Sequence, residues 1–290
     1  MEQLQQQMEI SERRACQTIQ QPRATQRYQP KEADDEKPLV ARMRQLAGQH
    51  PRYGYRRIWA LLRAEGFRGN RKRIWRLWRR EGLKVPRKQR KRRRLGCSDN
   101  SSQRRRAQQQ NQVWSYDFVM DQTSDGRRLK LLPVLDEYTR ECLTIEGERR
   151  MTAQDVVATL RYLFELRGAP QFLRSDNGPE FIAEAVKAWL KENGCATLYI
   201  EPGSPWENAY SESFNSRLED ELLDREEFQT LAEAKVLVED YRLDYNDHRP
   251  HSSLGYQTPS AFAASLPAPA VGAAPLPAGP AAKEALATLS

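Results

Sequence analysis

Two short stretches, whose acids have 35 residues between them, confine this chain more tightly than anything else in it. RSDNGPEF places Asp176 just after the apolar run QFLRS, and NAYSESFNSRLEDELL places Glu212 inside a helical pattern. The first stretch reads as the end of a buried strand, with a turn at Asn177-Gly178 that aims Asp176. Pro179 then opens a new helix, where its missing N–H is harmless. An acid at the carboxyl end of a strand is held by a rigid sheet yet faces solvent. In the second stretch Tyr210, Phe214, Leu218 and Leu222 recur every fourth residue as an apolar stripe. Glu212 lies about 200° round the helix from Phe214, with Asn208 and Asn215 on its own side at i−4 and i+3. Asn208 either orients Glu212, touches substrate or caps its helix. The intervening residues suffice for a helix, a strand and a loop that bring the chain back to the same sheet edge.

A third acid, Asp117, sits in the β-rich run VWSYDFV, where a carboxylate is costly without a purpose. If the segments between build one sheet, Asp117, Asp176 and Glu212 converge. Two carboxylates 4 Å apart repel by about 4 kcal/mol at an effective dielectric of 20. A divalent cation removes that repulsion. Hard oxygen ligands suit Mg²⁺ or Mn²⁺, and two such ions per site can clamp the attacking and leaving oxygens of a phosphoryl displacement.

The net charge of +8 hides an asymmetry. Residues 1–112 carry 30 basic and 10 acidic side chains, whereas residues 113–290 carry 17 and 29. A basic front and an acidic back point to polyanion binding ahead of metal-dependent chemistry. The four cysteines (Cys16, Cys97, Cys142, Cys195) form no C-x-x-C pair, so neither a disulfide framework nor a zinc site is expected. No apolar run approaches membrane-spanning length and no signal-peptide core is present, so the expectation is a soluble cytoplasmic protein.

Residues 1–37 form an N-terminal segment, with Ser11 capping a short helix and acidic KEADDEKP as linker. Residues 38–85 have an all-helical pattern. Leu39, Met43 and Leu46 mark one helix, and Ile58, Leu61 and Leu62 a second that ends at Gly66. A third runs from its cap Asn70 to Gly82 with Ile74, Leu77 and Trp78 inward. The third leaves Arg71, Lys72, Arg73, Arg76, Arg79 and Arg80 mostly outward, as in a helix-turn-helix whose second helix enters a DNA groove. Residues 86–111 are a basic, aperiodic linker containing Arg92, Arg93 and Arg94, able to follow phosphates.

From 112 to 266 the pattern alternates. Strands are expected at Val113–Val119, Leu129–Tyr138 and Glu141–Glu148, with a turn at Asp125-Gly126. There follow helix Thr152–Arg167, strand Gln171–Ser175, helix Pro179–Asn193, strand Ala196–Ile200, the Glu212 helix and a last helix from Leu231 to about Asn246. The fold class is α/β: a ribonuclease-H-like domain behind an all-α helix-turn-helix domain. Asp121 and Asp136 read as strand-end or turn residues, and His248, Arg249 and His251 as fold-supporting or DNA-contacting. Residues 267–290 are a Pro/Ala-rich tail.

Asp117, RSDNGPEF, the D-x35-E spacing, NAYSESFNSRL and HRPHSSLGY, in that order, resemble the second-reading-frame transposase of two-frame bacterial insertion sequences, whose core is of the retroviral-integrase type. The resemblance covers roughly residues 38–262. It implies that Asp117, Asp176 and Glu212 are the catalytic triad and bind two Mg²⁺ ions. It implies hydrolytic nicking of the element end, followed by attack of the freed 3′-OH on another phosphodiester. The partners implied are the element's terminal inverted repeats, target DNA, further copies of the chain, and the first-frame product or a frameshift fusion with it, in a nucleoid-associated setting. The chain departs from its relatives at Glu219, where they carry Lys or Arg seven residues after the catalytic Glu; Arg217 stands two residues earlier. Two other readings are a ribonuclease-H-like nuclease without strand transfer and a DNA-binding regulator with an inactive core.

Overall fold

The computed structural model of the chain describes residues 10–28, 34–85, 106–175, 184–199 and 209–267. Arg92–Arg94, Asp176–Gly178, Pro179, Trp206, Asn208 and the expected tail lie outside the described residues. The chain divides into two compact units, residues 1–49 and 50–290. That boundary falls inside the segment 38–85.

In the first unit, α1 (Glu12–Thr18) is capped by the Ser11 hydroxyl, which accepts from the Arg14 N–H. A short α2 (Arg23–Gln26) follows, and then α3 (Glu36–Gln49), which buries Leu39, Met43 and Leu46 as their spacing requires. The stretch KEADDEKP is not wholly a linker, because α3 begins within it. Glu36 favours a helix N-terminus and Pro38 sits where backbone N–H groups lack intrahelical partners anyway.

The second unit opens with α4 (Tyr55–Ala64) and α5 (Arg71–Arg80). Helix α4 ends at Gly66, whose φ of +90° suits glycine. There the N–H groups of Gly66 and Phe67 donate to the Arg63 and Leu62 carbonyls at 3.1 and 2.9 Å. Asn70 caps α5 by accepting the Arg73 N–H at 2.8 Å. Ile58, Leu62, Ile74, Leu77 and Trp78 are buried. Leu61, expected on the buried face, is only half-buried.

The sheet departs from expectation at one place. Val113–Val119 is not one strand but two, β1 (Val113–Tyr116) and β2 (Val119–Gln122), broken at Asp117 and Phe118. Both pair antiparallel with β3 (Arg128–Asp136) in the same register: Trp114 faces Asp136 and Val119 faces Leu131. Strand β4 (Cys142–Glu148) pairs antiparallel with β3, β5 (Phe172–Ser175) parallel with β1, and β6 (Ala196–Tyr199) parallel with β5. This is the arrangement expected of a ribonuclease-H-like core.

Alternation along β3 divides the core into two layers. Leu132 and Val134 pack with Val156, Leu160 and Leu163 of α6 (Ala153–Arg167) and with Val186 and Leu190 of α7 (Glu184–Glu192). Leu129, Leu131 and Leu135 pack on the other face with Phe214 and Leu218 of α8 (Ala209–Leu218). Joining them there are Val238, Tyr241 and Tyr245 of α9 (Leu231–Asp247). A bulge between Val134 and Leu135 shifts the β3–β4 ladder by one residue, so that Leu135 faces Cys142. Cys142 there donates its N–H to the Asn246 side chain of α9 and accepts back from it, at 2.9 and 2.8 Å. Asp136 is a turn acid, as expected. It accepts the N–H groups of Asn111, Tyr138 and Thr139, while its burial pushes its carboxyl above the usual range. The short α10 (Pro259–Ala264) follows a 3₁₀ turn at Ser252–Leu254.

Helix α8 continues into a π-helical turn, Glu219–Leu223. There Glu221 meets Arg249 in a bidentate pair at 2.8 and 2.8 Å and Arg57 at 3.3 Å, all inside the protein. Arg52 reaches the neighbouring Asp220 at 3.4 Å. Burial alone would raise the Glu221 carboxyl, but the hydrogen bonds and charge of Arg249, with Arg57 and Arg217, leave it lowered. A lowered carboxyl contributes stability above its unfolded-state value of about 4.3, and that contribution is lost as pH falls through the folded value. Glu221→Gln, which leaves Arg249 buried without its counter-charge, is expected to cost about 3–5 kcal/mol in denaturant unfolding at pH 7. Its stability should also fall less steeply below pH 5 than that of the unaltered chain.

Candidate active site

Tyr116 and Ser175 are the last residues of two neighbouring parallel strands, β1 and β5, and the next residues in the chain are Asp117 and Asp176. Asp117 interrupts the sheet rather than lying within it. Its Oδ1 accepts the Phe118 N–H at 2.8 Å, and its Oδ2 accepts from Asn215 Nδ2 at 3.2 Å. Asn215 is buried on α8, whereas Glu212, one turn earlier, is exposed. The amide therefore ties the strand break to the helix that carries Glu212.

Asp117 and Glu212 line one open cavity of about 770 Å³, with Phe118 to Met120 on the strand side and Ser213, Ser216 and Glu219 on the helix side. The structure thus brings together Asp117, Glu212 and Asn215. Asp176, Asn177, Gly178 and Asn208 lie outside the described residues, and among those described no three acidic, histidine or cysteine side chains are grouped to hold a metal. The donors on the cavity wall are carboxylate, amide and hydroxyl oxygens. Among the described residues no cysteine or histidine lines it, and an oxygen lining is what a hard divalent cation takes. Glu219, two turns along α8 from Glu212, faces the same cavity, and its seven-residue spacing carries that information. Tyr210, assigned to the apolar stripe by its spacing, lines a second cavity on the other side of α8 instead.

On α5, Arg71, Lys72, Arg76, Arg79 and Arg80 are exposed and Arg73 is half-buried. Trp75 is 42% exposed among them, with the Arg79 guanidinium 5.1 Å from its ring. The charge pattern of α5 does not mark this aromatic, whose exposure only the packing of Ile74, Leu77 and Trp78 reveals. Arg249 and His251 support the fold around Glu221. Cys16, Cys142 and Cys195 are free and buried. Among the described residues no helix is long and apolar enough to cross a membrane.

Known proteins match this architecture segment by segment. The integrase core domain family matches residues 107–205, a second integrase core family residues 193–259, and an HTH-like domain family residues 33–92. A 31.7 kDa protein of insertion element IS407 from Burkholderia multivorans is 41% identical over 91% of this chain and 94% of its own length. A 39.2 kDa protein of insertion element IS476 from Xanthomonas euvesicatoria is 38% identical over 88% and 73%. The InsD transposase of insertion element IS2 from Escherichia coli is 29% identical over 79% of each. Among solved structures, the HTLV-2 integrase catalytic core domain in complex with magnesium aligns with 52% of this chain and 95% of its own, at 15% identity and a TM-score of 0.42. A simian T-cell lymphotropic virus intasome chain aligns with 81% and 79%, at 14% identity and a TM-score of 0.47.

The chain belongs to the second-reading-frame transposases of bacterial insertion sequences, with an HTH-like region ahead of an integrase core. It is an enzyme of the polynucleotidyl-transferase class and acts on DNA.

The Asn215 contact yields a direct test of the geometry. A hydrogen bond to a charged group contributes about 1.5–3 kcal/mol, so Asn215→Ala is expected to lower the rate of DNA nicking about ten- to a hundredfold. Duplex binding measured in EDTA should change less than twofold.

Proposed function

We propose that this chain cuts the ends of its element and joins the freed 3′-OH to target DNA, with Asp117, Asp176 and Glu212 as the catalytic triad. The observation that carries the reading is the juxtaposition of Asp117 and Glu212 across one open, oxygen-lined cavity, beside the strand end from which Asp176 follows. The three carboxylates would hold two divalent cations, Mg²⁺ or Mn²⁺, which supply charge neutralisation at the phosphate and acidify a bound hydroxyl.

The chain's own groups divide the remaining work. Asp117 is fixed by the Phe118 N–H and Asn215, so its carboxylate cannot swing with its own side-chain torsions. Glu212, exposed on α8, faces an incoming strand. In the first step water adds to the phosphorus of a phosphodiester and the 3′ oxygen leaves as a hydroxyl. In the second that hydroxyl adds to a target phosphodiester and displaces another 3′ oxygen. Neither step needs a protein nucleophile, so Ser213 and Ser216 have no covalent part. The helix pair α4–α5 and the basic segment 86–111 bind the element's terminal repeat. Two ends must be held together for joining, which supports a multimer, with the first-frame product or a fusion to it as a further partner.

The decisive experiment incubates the full chain, with and without its first-frame partner, with a labelled duplex from the element's end in Mg²⁺. Asp117→Asn, Asp176→Asn and Glu212→Gln are each expected to reduce nicking and joining at least a thousandfold and to leave binding intact. Full activity in any one of the three removes that residue from the triad. Nicking without joining by the unaltered protein would favour a nuclease. A separate measurement concerns α5. Converting Lys72 and Arg76 to Ala should weaken binding and reduce the slope of log affinity against log salt by about two, as expected for the loss of two phosphate contacts. An unaltered slope takes that helix out of the interface.

A further inference from the structure

The second cavity lies across α8 from the first and shares Ala209 and Ser213 with it. It measures about 290 Å³, small for a drug-sized ligand. Among the described residues its wall is cationic: Arg57, Arg140, Arg217 and Arg249 all line it, against the single carboxylate Asp136. Two of these cations are already engaged, since Arg57 and Arg249 hold Glu221. Asp136 is engaged as well, by three backbone N–H groups. His251 adds no charge. Burial first, then Arg249, Arg57, Arg140 and Arg217, lower it to about 3.

What remains is Arg140 and Arg217. Arg217, half-buried, makes no hydrogen bond or ion pair with any described residue. Arg140 donates to the Glu137 carbonyl, and its guanidinium lies 3.6 Å from the Tyr210 ring centroid. Its backbone has a φ of +68°, a conformation in which glycine or asparagine is the usual occupant. An arginine accepted there, and stacked in place, fixes a positive group at the cavity rim. The hydroxyls of Ser252 and Ser253 stand exposed at the same mouth.

We propose that this pocket takes a backbone phosphate of the DNA strand, flanking the phosphodiester held at Asp117 and Glu212, with Arg140 and Arg217 as its ligands. The inference rests on the function proposed above. Arg217 follows Glu212 by five residues, about 7.5 Å along the helix and 140° round it. That offset places the two cavities within a few nucleotides of each other along one strand. Planar guanidiniums suit a phosphate's paired oxygens, and the pocket reads charge and position without reading sequence.

The test is a scan with end-duplexes in which single phosphates around the cut site are replaced by uncharged methylphosphonates. Binding to the full chain is measured in EDTA, where nothing is cut. The unaltered protein should lose about tenfold at one or two positions within three nucleotides of the cut. Arg217→Ala and Arg140→Asn, the latter keeping the backbone conformation, should lose about tenfold on natural DNA and nothing further at those positions. Unchanged melting temperatures would show both variants folded. Equal losses in variant and unaltered protein at every position overturn the proposal. So does competition by millimolar inorganic phosphate, at constant ionic strength, that is abolished by Arg217→Ala without any positional effect; the pocket would then serve a free anion. Failure of the triad variants to lose cutting would sink the catalytic reading and leave the interference pattern standing, whereas a flat pattern in a protein that cuts sinks the pocket alone.

Discussion

A buried carboxylate among arginines sets the position of everything around α8. Glu221 accepts from Arg249 and Arg57, which come from the loop after α9 and from α4, so three separate stretches of chain meet at one charge. In a low-dielectric setting such a group is tolerable only with its partners in place, and the partners are no less dependent on it. Arg249 is itself 2% exposed and touches the His251 ring nitrogen at 3.1 Å. The constraint is therefore mutual: the end of α8 cannot shift without stranding a charge on one side or the other. Fixing that end fixes the direction in which Glu212, two turns earlier, leaves the helix.

Helix α8 is asked to face three ways at once. Phe214 and Leu218 anchor it on the sheet, Glu212 and Asn215 turn toward Asp117, and Arg217 turns toward the second cavity. Only its apolar side is held by packing, which is why polar ties matter on its other faces. Asn215 supplies one tie to the strand break and Glu221 supplies the other. The π turn at Glu219–Leu223 belongs to the same design. Widening the last turn lets Asp220 and Glu221 both reach arginines while Leu222 stays in the core.

Much of this was legible from residue spacing. Leu39, Met43 and Leu46, or Ile74, Leu77 and Trp78, can be buried together only on helices, and Asn70, Gly66 and Gly82 mark ends by backbone chemistry that needs no tertiary context. Asp117 was legible as an anomaly, an acid in a β-rich run, but not as a break. The strand resumes in the same register beyond it, and register is a property of β3 as much as of the run itself. Tyr210 misled because four-residue spacing records a face and not what covers it. Glu221 carries a usable sign in the sequence. Seven residues after Phe214, it falls within about 20° of that apolar side, where a charge must be paired. Its partners Arg57 and Arg249 are 164 and 28 residues away, beyond any local pattern.

Net charge is a poor guide to how such a core meets DNA. Residues 113–290 carry 29 acidic and 17 basic side chains, so at a distance the segment repels a phosphate backbone. That repulsion is screened within about 10 Å at 0.1 M salt, and closer in only the local arrangement counts. There Asp117, Glu212 and Glu219 line one cavity, and Arg140, Arg217 and Arg249 line the cavity next to it. Attraction over long range must then come from the basic residues ahead of 113, with placement left to a few groups that act at contact. A chain built this way draws DNA in through one region and registers it in another.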